Sequence, residues 1–159
     1  MIELFYQLKT TPPSKDKLKK YLLQENWVKE KSFDITHLNN NILLDNIKLL
    51  KTVAKFKGVT SIIKMNPMTW YNWHTDEIRN AAINFLIEGY DSKCFFGNQQ
   101  DKYNFNLTEL AYDPNSMYLF NVHSTHAVMN LSETRYLLSI SFSHNSYNEI
   151  LEYCREQDI

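Results

Sequence analysis

His74, Thr75 and Asp76 close the run SIIKMNPMTWYNWHTD. In an extended chain the side chains at i and i+2 leave on one side, so this imidazole and this carboxylate can reach a common point. A second imidazole, His126, opens the remote run HAVMN, and Arg135 opens the alternating apolar run RYLLSISF. Two imidazoles and one carboxylate on one side of an ion form the donor set suited to non-haem Fe(II), leaving the opposite positions open. An oxygenase uses those positions for a chelating co-substrate and O2. A guanidinium nearby has a use as well, because its planar fork grips a carboxylate through two hydrogen bonds. Arginine is scarce here, with Arg79, Arg135 and Arg155 the only three.

Each residue also has a plainer reading. A His-x-Asp can be a surface turn capped by its aspartate. Arg135 can be an exposed charge at a strand start, and Arg79 either meets a substrate carboxylate or pairs on the surface with Glu77 or a neighbour. His123 competes with His126. Three positions apart on one regular strand they face opposite ways, and His126 is preferred because it begins the next strand-like run. Trp70, Tyr71 and Trp73 either line a substrate pocket or belong to the core. His37 and His144 have no partner pattern, and Cys94 and Cys154 read as ordinary thiols.

These residues need a scaffold, and the chain of 159 residues is the length of one domain. Its 43% hydrophobic and 14% aromatic content can fill a core. A net charge of −1 argues against nucleic acid or an anionic membrane as the main partner. Three scattered glycines, Gly58, Gly89 and Gly97, exclude a dinucleotide fingerprint or a phosphate loop. Two cysteines are too few for a disulfide scaffold or a cysteine-built zinc site. Without an apolar run of membrane-spanning length or a signal-like start, the expected setting is soluble and cytoplasmic.

The expected organisation is a single domain over 1–159. Residues 1–58 hold a strand (2–8) and two helices. Ser14 is placed to cap the first helix, with Leu18, Tyr21 and Leu22 on its apolar side. The second spans 42–56 with Leu43, Ile47, Leu50 and Ala54 on one stripe, and Gly58 as its C-cap. Residues 59–143 break into short β-prone runs (VTSIIKM, NAAINFLI, SKCFFGN, NLTELAYD, SMYLFNV, HAVMN, RYLLSISF) separated by turns. A sandwich, jelly roll or small barrel fits that spacing. A C-terminal helix over 146–157 closes the chain.

WHTDEIRNAAINFLI, YDPNSMYLFNV and THAVMNLSETRYLLSISF together resemble the core of the Fe(II)/2-oxoglutarate-dependent dioxygenases. Within that superfamily they are most similar to small aspartyl/asparaginyl-hydroxylase-like and proline-hydroxylase-like enzymes. The resemblance covers 59–143. It implies a mainly β fold with flanking α, a double-stranded β-helix (jelly-roll, cupin-like) core with two N-terminal helices and one C-terminal helix. It implies that His74, Asp76 and His126 bind iron, that Arg135 holds the distal carboxylate of 2-oxoglutarate, and that Asn84 is a second co-substrate contact. The implied activity couples oxidative decarboxylation of 2-oxoglutarate, with release of succinate and CO2, to hydroxylation of a C–H bond of an amino acid or a peptide or protein residue. Asp76 stands where mammalian aspartyl hydroxylases have glycine. That favours the full three-ligand set and disfavours a halogenase. The competing expectations are a cupin-type metal enzyme not using 2-oxoglutarate, a zinc hydrolase with Glu77 as base, and a non-catalytic jelly-roll binding or structural module with a vestigial site.

Overall fold

The alternating runs pair into two antiparallel sheets in a computed structural model, which describes residues 3–24, 26–99 and 104–159. In chain order the elements are β1 (Phe5–Gln7), α1 (Lys15–Leu22), β2 (Val28–Lys29), β3 (Asp34–His37), a 3-10 turn (Asn40–Leu43) and α2 (Ile47–Lys55). They continue with β4 (Val59–Met65), β5 (Thr69–His74), β6 (Ala81–Glu88), β7 (Lys93–Gln99) and β8 (Phe105–Leu110). The last are β9 (Tyr118–Phe120), β10 (His126–Asn130), β11 (Arg135–Phe142) and α3 (Tyr147–Glu156). A seven-stranded sheet has the order β1-β9-β6-β11-β4-β3-β2, and a four-stranded sheet the order β5-β10-β7-β8. From β4 onward the chain crosses repeatedly between the sheets. This is the expected double-stranded β-helix, mainly β with helices packed outside.

Strand periodicity divides the large sheet into two faces. On β11, Leu138, Ile140 and Phe142 join Ile83, Phe85 and Ile87 of β6 in a cluster that also holds Leu18, Leu49, Val53, Ile150 and Leu151 of the helices. Their alternates, Arg135, Leu137 and Ser139 with Asn84, face the space between the sheets and line a cavity there. The register sets Ser139 against Asn84 and Leu138 against Phe85. A smaller cluster, including Cys94, Phe96, Tyr118, Phe120 and Val128, fills the rest of the inter-sheet layer.

The N-terminal third departs from expectation in three places. The single helix over 42–56 is two pieces, because Asn46 caps α2 by accepting the Leu49 N–H at 2.9 Å. The buried stripe is therefore Leu49, Thr52 and Val53, while Ile47 and Ala54 are exposed. The left-handed residue after α2 is Lys57 (φ 53°), with the Gly58 N–H bonded back to the Val53 carbonyl. Gly58 is needed instead for close packing, since a Cβ there would stand 2.8 Å from the Phe142 ring. Finally, β2 and β3 extend the large sheet through pairing of β3 with β4, where no strand was expected. Of the strand expected over 2–8, β1 covers Phe5–Gln7, and Ile2 lies outside the described residues. Ser14 precedes α1 but makes no side-chain cap bond. Among the described residues no helix is long and apolar enough to cross a membrane.

Candidate metal centre and adjoining cavity

Edge strand β5 carries the first imidazole, and a β-bulge aims it. Opposite β10, His74 pairs with His126 and Tyr71 with Val128, so three steps on β5 match two on β10. The extra residue returns His74 to the inward side that Tyr71 already faces. Asn72 holds the bulge, its Oδ1 accepting the Trp73 N–H at 2.8 Å and the Trp70 indole N–H at 3.2 Å. Beyond the strand, the Asp76 N–H donates to the Val122 carbonyl at 3.0 Å, which fixes the carboxylate two residues along.

The donor atoms of His74, Asp76 and His126 lie within 4.8 Å of one another, a grouping that could hold a metal ion. His74 Nδ1 is 2.6 Å from the Asn72 carbonyl and His126 Nδ1 is 2.9 Å from the Ser124 carbonyl. A carbonyl only accepts, so each Nδ1 carries the proton and each Nε2 keeps its lone pair. This is the outer-shell arrangement that orients metal-bound imidazoles. His74 Nε2 is buried without a hydrogen-bond partner, 4.0 Å from Asp76 Oδ1. Tyr71 packs on the His74 ring (centroids 3.9 Å), and Phe96 lies 5.8 Å from that of His126. Burial, with a smaller contribution from His74, pushes the His126 pKa down to about 4, which keeps this imidazole neutral, the form that ligates.

The cavity that His126 lines also reaches Arg135, Asn84 and Ser139 of the large sheet. Arg135 is 2% exposed. Its Nε donates to Ser92 Oγ at 3.1 Å and its Nη2 to Tyr112 Oη at 3.3 Å, while Nη1 rests 3.8 Å from the Met65 sulfur. None of the ion pairs among the described residues involves it. A buried guanidinium held by hydroxyls, a thioether and the Tyr112 ring (5.7 Å to its centroid), with no carboxylate ion pair among the described residues, favours an incoming anion. Asn84 Oδ1 and Ser139 Oγ are buried in the same cavity without partners. Gly89 sets the close approach beside Arg135: its φ is +85°, and a Cβ there would stand 2.6 Å from the Arg135 Cα. Burial raises the Cys94 thiol to about 11 and drives the Tyr112 phenol above its usual range, so both stay neutral here.

Other candidates fall elsewhere. His123 is exposed and bonds Asn80 Oδ1 at 3.0 Å, away from the cluster. His37 bonds Ser61 Oγ at 2.8 Å on the wall of an outer groove, and His144 is exposed. Glu77 is exposed and outside the donor group. Tyr71 lines the cavity and the groove, whereas Trp70 and Trp73, 45% and 36% exposed, line neither. Spacing alone gave no sign of Ser92, Tyr112 or the Asp76–Arg79 pair. Tyr112 could have been suspected as an aromatic hydroxyl ending the polar-flanked run NLTELAY.

No family model and no curated protein matches this sequence. Solved structures do match in shape. A 2OG-Fe(II) oxygenase-family oxidoreductase from Burkholderia pseudomallei aligns with TM-score 0.57 and 11% identity over 83% of this chain and 78% of that one. The viral collagen prolyl hydroxylase of Paramecium bursaria Chlorella virus-1, in complex with 2OG, aligns with TM-score 0.59 and 10% identity over 87% and 95%. The chain thus has the double-stranded β-helix fold of the 2OG-Fe(II) oxygenases. A 7S globulin of Momordica charantia also aligns (TM-score 0.51, 11% identity), this chain covering 78% of itself and 34% of the globulin. An oxygenase and a globulin thus share this shape, and it is the side chains of the site that distinguish one function from another.

Proposed function

We propose that this protein is an Fe(II)- and 2-oxoglutarate-dependent dioxygenase that hydroxylates a C–H bond of an amino acid or of a peptide or protein residue. The observation that carries the reading is the meeting of two halves at one cavity, which His126 lines from the small sheet and Arg135 from the large one. One is the His74–Asp76–His126 donor group with its orphaned His74 Nε2; the other is the buried Arg135 guanidinium with no described carboxylate. His74, Asp76 and His126 would hold iron. Arg135 would take the distal carboxylate of 2-oxoglutarate, with Tyr112 steadying the guanidinium and Asn84 and Ser139 offering polar contacts along the cavity. Iron in such a site supplies activation of O2 at the expense of 2-oxoglutarate, giving succinate, CO2 and a hydroxylated product.

The chain's own contribution is orientation and exclusion. The Asn72 and Ser124 carbonyls keep both Nδ1 protons away from the ion, and the Tyr71 and Phe96 rings limit imidazole rotation. The apolar cavity wall of Met65, Phe120, Val122 and Val128 keeps bulk water from the bound co-substrate. An outer groove, lined by Asp76 and Arg79 and by Phe33, Tyr71, Ser61 and Ser141, is the approach for the substrate. Two buried free cysteines suit a reducing setting such as the cytoplasm.

Turnover tests this. With Fe(II), 2-oxoglutarate and O2, a panel of free amino acids and short peptides is expected to give succinate and a hydroxylated product together. Ligand binding without succinate from any panel member would instead favour the binding-module reading.

A further inference from the structure

Asp76 is gripped from one side. Arg79 Nη2 donates to Asp76 Oδ2 at 2.6 Å, while Oδ1 is the oxygen facing His74 Nε2. The contact is shielded, with 11% of the Asp76 side chain and 27% of the Arg79 side chain exposed. Nη1 of the same guanidinium reaches Ser141 Oγ at 3.4 Å on β11, so the arginine is tied to the opposite sheet. Glu77, the other acidic neighbour, is exposed and takes no part. A carboxylate with two free oxygens can chelate an ion through both. One whose second oxygen accepts a short charge-assisted bond presents the first more readily, because the guanidinium occupies a lone pair of the second and draws off its charge.

Resting on the metal reading above, we propose that Arg79 is a positioning residue that confines Asp76 to one-oxygen ligation. It thereby preserves open coordination positions on the ion. Arg79 is thus part of the metal centre's outer shell, and a substrate carboxylate is not its principal partner.

The test is titration of the full-length protein with Mn(II), following affinity by calorimetry and the water bound to the ion by proton relaxation. Arg79→Ala is expected to raise the Mn(II) Kd by about 10–100-fold, the usual cost of losing an outer-shell partner. It is also expected to lower the relaxation enhancement per bound ion, as the freed carboxylate takes a second position. Arg79→Lys is expected to recover part of both, and Glu77→Gln to match wild type. Wild-type affinity in Arg79→Ala overturns the proposal. So does unchanged relaxation per bound ion in Arg79→Ala, whatever its affinity, or an equal loss in Glu77→Gln. Absence of Mn(II) binding by wild type is seen before any variant is made; it removes the metal reading, and this inference with it.

Discussion

The two sheets divide the labour unequally. The seven-stranded sheet is covered by helices on one face and by its partner sheet on the other, so β6 reads AAINFLIE with every residue up to Ile87 buried. The four-stranded sheet has one face open to solvent: Trp70, Phe105 and Leu107 are 45%, 50% and 56% exposed. Yet the small sheet supplies His74 and His126, and the chain leaving β5 supplies Asp76, whereas the large sheet supplies Arg135, Asn84 and Ser139. On the proposed reading the donor group stands beside the outer groove, which Asp76 lines, so an ion can enter and exchange there. A fixed buried cation needs a rigid, dry setting, so it sits on the sheet that is covered twice.

The strongest way to break this comparison is Asp76→Ala. Loss of a donor is expected to weaken Mn(II) binding by more than about a hundredfold, beyond what outer-shell changes cost, with the large-sheet core intact by near-UV circular dichroism. Retained binding would detach the small sheet from the metal.

Next in size is the contrast in packing. Phe85→Ala, in the helix-facing layer of the large sheet, is expected to cost about 3–5 kcal/mol in urea unfolding. Leu107→Ala on the open face is expected to stay within about 0.5 kcal/mol. Equal losses would erase the distinction.

Acid comes third. The folded-state pKa of His126 lies near 4, below its ordinary 6.5, so between those values the unfolded chain binds more protons. Stability of the metal-free protein is therefore full above pH 6.5 and declines as pH falls toward 4, by about 3 kcal/mol for this one group. His126→Gln is expected to flatten that slope in denaturant unfolding followed across pH. An unchanged slope would assign the loss to other groups.

Smallest is Arg135→Met. Removing a buried guanidinium that has no described counter-ion is expected to raise the stability of the ligand-free protein by about 1 kcal/mol. Marked destabilisation would mean that Arg135 serves the fold rather than an anion.

Much of this was legible along the strands because a period of two sorts side chains by face. RYLLSISF already separates Arg135, Leu137 and Ser139 from Leu138, Ile140 and Phe142, and the structure keeps that division. His74 and Asp76 both join the donor group with His126 as expected, although β5 ends at His74 and Asp76 is held beyond it by the Val122 carbonyl. The bulge was hidden: Tyr71 and His74 share a face only because Asn72 and Trp73 take up an extra step. Nor could hydrophobic spacing show that Asn46 would break the helix over 42–56, since a side-chain cap competes with a periodicity that looks continuous. The partners of Arg135 stayed out of sight for a third reason. Ser92 and Tyr112 lie on loops remote in sequence, brought together only by the sheet pairings.

The most direct measurement is an anaerobic titration of the metal-free protein, first with Fe(II) and then with 2-oxoglutarate, watching for a visible charge-transfer band. If the sheets supply complementary halves of one site, wild type gives the band, His126→Ala gives none, and Arg135→Ala needs far more 2-oxoglutarate to reach it. Truncating one partner of a buried charged contact costs about 2–5 kcal/mol, which sets the scale of that last shift. A band that forms at the same 2-oxoglutarate concentration in Arg135→Ala, or none in wild type, would contradict the account.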